Sequence, residues 1–490
     1  DIASMLAEDE AAREMDVPFR FGKGFDVNYT LKDGNWENTK NGRIWSIQFQ
    51  SEGAFSINFI FNELFLPEGS ELYIYNLEGT MVYGPVTSKQ NLIKGKFLTD
   101  LVQGDEVTIH IFEPEKAKDK VRLTISRVIH AYVDMYDSSS SVLKSATLNC
   151  YNNIDCYPNW GEESDGVALI LLSTGDAVCS GSMVNNTAND YTPYILTAFH
   201  CLDGNETSWM FKFGFRENDC GGMNYFATSY NGSGLTSSWV DSDFALLEMA
   251  DSPVGNGNIA FLGWDNRNNT PTLGTSIHHP GGDYMKISFD NNGLTTNNTV
   301  LNWIGGTSSP VSTHWVVGFD NGTAEGGSSG GPLFDQNSKV VGQLHGGPNV
   351  CPPVNKYYGR FDVSWNGNNT NTTQLAHWLD PDNTGDPTTD LLRSPSITVP
   401  DLICYSGTTV SMQDPPGVTI TWGGTNVTYP TGNTGTSVTV RALSTSTSNT
   451  GTVTASFTIN GRNYTISHPV WVGKPAFTGL INGNISIPLD

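Results

Sequence analysis

Glycines crowd a serine in Gly326-Gly327-Ser328-Ser329-Gly330-Gly331-Pro332-Leu333-Phe334. Glycine on both sides lets the backbone bend sharply and turn successive N–H groups toward one point. A tetrahedral intermediate needs such donors for its oxyanion, and here they would be the amides of Gly327 and Ser329. A base for Ser329 is offered by Thr197-Ala198-Phe199-His200-Cys201, which follows the apolar run Tyr194-Ile195-Leu196. A histidine at a strand end, beside a cysteine that can fix its backbone, is well placed for proton transfer. A lone histidine is more often a core residue, and it is the neighbouring motifs that favour the catalytic reading. The third piece is Asp241-Ser242-Asp243-Phe244-Ala245-Leu246-Leu247-Glu248. A carboxylate directly before a buried apolar strand can orient an imidazole and stabilise the imidazolium. Asp243 abuts Phe244 and is the better candidate, with Asp241 read as a solvated turn residue. Together the three pieces describe nucleophilic acyl transfer.

The serine motif alone is ambiguous, because G-x-S-x-G also describes the nucleophile elbow of an α/β-hydrolase. Chain order decides. The order here is His200, Asp243, Ser329, that of chymotrypsin, whereas an α/β-hydrolase runs Ser, acid, His. No alternation of strands and helices follows Ser329 either. His278 and His279 have no third ligand at useful spacing, so neither a metal nor any other cofactor is expected.

These residues must be held by strands. At 490 residues the chain suggests about three domains on a prior of ~150 residues each. Only 16% of residues are charged, and turn-forming residues abound. Residues 1–137 alternate, as in Ile44-Trp45-Ser46-Ile47-Gln48-Phe49, Leu72-Tyr73-Ile74-Tyr75 and Val107-Thr108-Ile109-His110-Ile111. They predict a β-rich sandwich, with a helix over Ile2–Met15 from its Ala and Glu content. A polar run from Asp137 to Ser141 opens a linker over residues 138–144. Residues 145–392 carry the chemistry. Over 393–490, segments such as Val418-Thr419-Ile420-Thr421-Trp422 and Ser437-Val438-Thr439-Val440 predict an immunoglobulin-like sandwich without its disulfide, since Cys404 stands alone. The fold class is therefore mostly β throughout.

The net charge of −24 disfavours nucleic-acid binding. No stretch of 18 apolar residues offers a membrane span. The chain opens Asp1-Ile2-Ala3-Ser4 without an initiator Met, which fits an export signal already removed. Cys150, Cys156, Cys179, Cys201, Cys220 and Cys351 cluster without a Cys-x-x-Cys pair, which reads as disulfides formed outside the cytoplasm. Secretion is the expectation.

Over residues 145–385 the chain resembles the lysyl endopeptidases, bacterial secreted proteases of the chymotrypsin-like superfamily. Besides the triad motifs, the resemblance rests on residues 179–190 (CSGSMVNNTAND), Ile277-His278-His279-Pro280, residues 342–348 (GQLHGGP) and His377-Trp378-Leu379-Asp380-Pro381. It implies two six-stranded barrels meeting at the triad, cleavage of protein or peptide substrates, and the pairings Cys150–Cys351, Cys156–Cys220 and Cys179–Cys201. It also implies that Trp303 and His345 stand beside the active site, with Gly346 and Gly347 lining the substrate cleft. Residues 1–137 are similar to the propeptides of such precursors, which act on their own protease as inhibitor or chaperone. Lys144-Ser145 coincides with the point at which related precursors are cut.

Two departures matter. Ser328 replaces the Asp that pairs with a new N-terminus in trypsin-like zymogens, an Asp that the lysyl endopeptidases lack as well. Lys356 aligns with the pocket Asp that binds a substrate Lys. A cationic pocket inverts the expected specificity toward Asp or Glu. Cleavage after Lys is the alternative, since Glu325 could supply a negative charge. A catalytically silent adhesin is the reading from another class, and active-site labelling separates it.

Overall fold

The computed structural model describes residues 2–12, 17–92, 96–136, 150–217, 220, 227–304, 306–351 and 354–474. The opening helix is Ile2–Ala12, and Met15 of the expected helix lies outside the described residues.

Two five-stranded antiparallel sheets follow. One runs Asn35–Thr39, Gly42–Gln50, Glu106–Pro114, Glu71–Asn76, Val82–Val86. The other places Ser56–Phe65 beside Arg122–Ala131, which in turn pairs Gly22–Thr30. Strict alternation in Glu106–Pro114 sends Val107, Ile109 and Ile111 inward. They meet Trp45, Phe59, Phe61 and Ile74 in one core. A fully buried side chain of this size contributes roughly 1.5–3 kcal/mol.

Residues 150–392 hold two larger antiparallel sheets. In the first, Met210–Phe213, Val167–Leu171, Ala177–Val184, Tyr194–Ala198 and Phe244–Met249 lie side by side. In the second, Lys286–Asp290, Gly274–His278, Pro332–Phe334, Val340–Gly346, Lys356–Arg360 and His314–Val317 do so. Short flanking pairings bring each sheet to eight strands, the first counting Phe19–Arg20 from the N-terminal region. Leu196, Phe244 and Leu246 from the first sheet pack with Ile277, Ile287, Phe334 and Val340 from the second. His200, Asp243 and Ser329 stand near the ends of strands that this shared core locks.

The N-terminal sheets and the barrels form one compact unit. Phe21, Leu98, Ile129 and Met135 share a core with Leu169, Leu171, Val178 and Met210. A buried ion pair joins the two parts as well, with Lys212 Nζ 3.0 Å from Asp100 Oδ1. Asn231 Nδ2 adds a hydrogen bond to the Leu98 carbonyl.

Residues 254–257 and 393–490 make a second unit. Two four-stranded sheets enclose Val410, Trp422, Val440, Val453 and Val472. The longest hairpin joins Ser448–Ile459 to Arg462–Gly473. Its turn residues Asn460 and Gly461 both have positive φ, as a two-residue type I′ turn requires. The strand expected from Val418 starts instead at Thr421. Pro415 and Pro416 cannot donate to a ladder, and Gly417 sits at φ +74°, which delays the extended run.

Candidate active site

Tyr194–Ala198 is a fully buried strand that ends in a single tight turn, Phe199–Cys201. The turn is fixed from two sides. Cys201 is bonded to Cys179 on the neighbouring strand, and the Phe199 amide donates to the Asp243 carbonyl at 2.8 Å. His200, between them, donates its backbone N–H to Asp243 Oδ1 at 3.0 Å. Its Nδ1 lies 2.9 Å from Asp243 Oδ2. An ionised carboxylate only accepts, so Nδ1 carries the hydrogen and Nε2 is left to take a proton.

Asp243 is 2% exposed and sits in the left-handed region at φ +53°. Aspartate tolerates that conformation better than most residues. Gln343 Nε2 clamps the turn by donating to the carbonyls of Ser242 and Asp243 at 2.8 and 3.2 Å. The structure thus brings Asp243 to His200, while Asp241 remains in the preceding turn.

The serine loop is held as firmly. Ser180 donates its amide to the Ser329 carbonyl and its hydroxyl to the Gly327 carbonyl, both at 2.8 Å. Gly281 N–H binds the Gly326 carbonyl at 2.7 Å, and Gly330 N–H binds that of Leu344 at 2.8 Å. Gly327 has φ +91°, and a Cβ there would lie 2.8 Å from the His279 carbonyl, so only glycine fits. Among the described residues, no backbone carbonyl engages the amides of Gly327 or Ser329. They are free to serve an oxyanion.

Ser328 is anchored by His278. Ser288 Oγ donates to the Thr323 carbonyl, so it accepts from His278 Nε2–H at 3.2 Å. His278 Nδ1 then accepts from Ser328 Oγ at 2.8 Å. Burial pushes the pKa of His278 down to about 3, which keeps this relay neutral. A neutral His278–Ser328 contact therefore stands where a zymogen would use an aspartate and a new N-terminus.

His200 and Ser329 line one cavity of about 220 Å³ with Trp303, Glu325, His345, Gly346, Gly347 and Lys356. His345 stacks on Trp303 with ring centroids 3.6 Å apart, and its Nδ1 is 3.7 Å from Asp243 Oδ2. Lys356 opens the strand Lys356–Arg360, is 1% exposed, and donates from Nζ to the carbonyls of Gly347 and Pro348. Glu325, 8% exposed, faces the same cavity. The ligand-type atoms of His200, Asp243 and His345 lie within 4.8 Å of one another, a closeness that the His200–Asp243 hydrogen bond itself explains. The remaining bridges are Cys150–Cys351 and Cys156–Cys220, and Cys404 is free and exposed. Lys144 and Ser145 lie outside the described residues.

Some residues at the site carry no motif. Phe19 and Arg20 form a short strand antiparallel to Val178 and Ala177. Val17, just before it, lines the cavity beside His200 and Ser329. Arg20 reaches back to Asp9 at 2.7 Å and Glu8 at 3.1 Å on the opening helix. No periodicity in residues 17–20 could have signalled this, because the partner strand lies in another part of the chain.

Two antiparallel sheets, with a His–Asp couple on one and a glycine-rich serine loop on the other, define the chymotrypsin-like serine protease fold. Residues 145–361 match the family described as "Lysyl endopeptidase, C-terminal domain". The lysyl endopeptidase of Pseudomonas aeruginosa is 23% identical over 293 residues, which are 54% of this chain and 60% of that protein. The chain thus spans less than two thirds of that relative's length. Among solved structures, the active form of the Rv3671c protease from M. tuberculosis is 19% identical, with a TM-score of 0.29, over 41% of this chain and 78% of that one. A Glu endopeptidase structure is 18% identical, with a TM-score of 0.28, over 44% of this chain and 86% of that one.

Proposed function

We propose that this protein is a serine endopeptidase whose N-terminal region rests in its own substrate cleft. The observation that carries the reading is the His200–Asp243 couple facing a serine loop with two uncommitted amides. Ser329 Oγ attacks a peptide carbonyl as His200 Nε2 takes its proton. The Gly327 and Ser329 amides hold the oxyanion, and His200 then protonates the departing amine. Water, activated by the same imidazole, releases the acyl group. A fluorophosphonate should label the wild-type protein and leave Ser329→Ala unlabelled. Absence of labelling in the processed wild type would instead support a catalytically silent binding protein.

Two features bear on the residue before the scissile bond. Lys356 is buried at the cavity with its ammonium directed at the carbonyls of Gly347 and Pro348, which sets a positive charge beside the position a substrate side chain would take. This favours Asp or Glu. Glu325 on the same cavity favours Lys as the second reading.

The Phe19–Arg20 strand and Val17 support the inhibitor role of the N-terminal region. A segment hydrogen-bonded to a barrel strand beside the catalytic residues competes with a substrate that binds as an added strand. Cutting after Lys144 would begin the mature chain at Ser145, and an acid-specific enzyme would need a second protease to make that cut. In the uncut chain, replacing Val17 and Phe19 together with Asp should raise the labelling rate at least about tenfold, the effect of losing one or two apolar contacts. An unchanged rate in that variant would remove the inhibitor role.

A further inference from the structure

We propose that His314 is a positioning residue of the catalytic site, which holds His345 in its Nδ1–H form against Asp243. This rests on the endopeptidase reading above. His314 opens the strand His314–Val317 and is fully buried. Its two ring nitrogens have different partners. Nδ1 lies 2.8 Å from Thr313 Oγ1, and Nε2 lies 2.8 Å from His345 Nδ1.

The direction of every proton in this chain can be worked out from one end. Thr313 Oγ1 is 2.7 Å from the Pro310 carbonyl oxygen. Two oxygens that close repel unless a hydrogen lies between them, so the hydroxyl proton points at Pro310. The hydroxyl can then only accept from His314, which places a hydrogen on His314 Nδ1. Burial holds the pKa of His314 well below its usual value, so the ring is neutral and Nε2 is a bare acceptor. His345 must therefore donate from Nδ1.

A second contact agrees independently. His345 Nδ1 is also 3.7 Å from Asp243 Oδ2, a position that suits an N–H and opposes a lone pair. Asn297 braces the relay, since its Oδ1 accepts the His314 amide at 2.9 Å and its Nδ2 donates to the Pro310 carbonyl at 2.8 Å. His345 stacks on Trp303, and its ring centroid also lies 5.5 Å from that of His200. In the other tautomer, with its hydrogen on Nε2, His345 would present the Nδ1 lone pair to Asp243 at the moment His200 becomes charged. His314 prevents this by offering an acceptor in a fixed place.

Two measurements test the assignment. ¹⁵N-histidine NMR of the full-length Ser329→Ala protein should show His345 protonated at Nδ1 and bare at Nε2. The opposite tautomer overturns the proposal, whether or not the wild type is active. For the rate of fluorophosphonate labelling, His314→Gln keeps an acceptor near the Nε2 position, whereas His314→Leu keeps volume alone. We expect Gln to stay within about threefold of wild type and Leu to fall at least about tenfold, the worth of one hydrogen bond near a charged group. Equal rates for the two variants, fast or slow, would show that His314 only fills space.

Discussion

Asp243→Asn is expected to slow turnover by about 10⁴-fold while leaving the fold intact. The geometry gives the reason. Asp243 Oδ1 accepts the His200 backbone N–H, so the amide oxygen of an asparagine would take that place. Its NH₂ would then face His200 Nδ1 and force the hydrogen onto Nε2, where it blocks proton transfer from Ser329. Ser329→Ala and His200→Ala should each cost more, on the order of 10⁶-fold, since the members act as a unit. Asp241→Asn should change the rate by less than about threefold, because a surface turn change alters little. Steady-state rates on any cleaved peptide, with thermal melts as a control, decide it. A large loss in Asp241→Asn and a small one in Asp243→Asn would sink the assignment.

The second large effect concerns Lys356→Asp. On peptides differing only in the residue before the scissile bond, wild type should prefer Asp or Glu over Lys by roughly a hundredfold or more. A desolvated charge left without its partner is rejected at least that strongly. The Asp variant should reverse the order. It should also lose some absolute rate, because Asp cannot replace the ties from Nζ to the carbonyls of Gly347 and Pro348, and its charge would repel them. Wild-type cleavage after Lys, with no gain in the variant, would pass the pocket to Glu325.

The proximity of His200, Asp243 and Ser329 was legible because each lies in a short local motif: a strand end beside a cysteine, an acid before an apolar run, a serine among glycines. The sandwich strands were legible where burial alternates, as in Glu106–Pro114. What escaped is contact between remote segments. Val17 and Phe19 have no pattern of their own, and their place beside the site depends on pairing with Ala177 and Val178 from a remote part of the chain. His314 looks like any core histidine until Thr313 and His345 define its two nitrogens. His278, weighed from sequence only as a metal ligand, turns out to brace the serine loop through Ser328.

The core shared by Phe21, Leu98, Ile129, Leu169, Val178 and Met210, with the buried Lys212–Asp100 pair inside the same seam, has a kinetic consequence. Under the proposed cut after Lys144, one covalent bond would break but none of these contacts. The severed N-terminal piece would remain seated, and parting would expose apolar surface and strand two charges without partners. Activity would then rise not at the rate of the cut but at the slower rate at which that piece lets go or is digested in place. A pool of nicked molecules would behave as a timed reserve, with its delay written into the seam between the two parts.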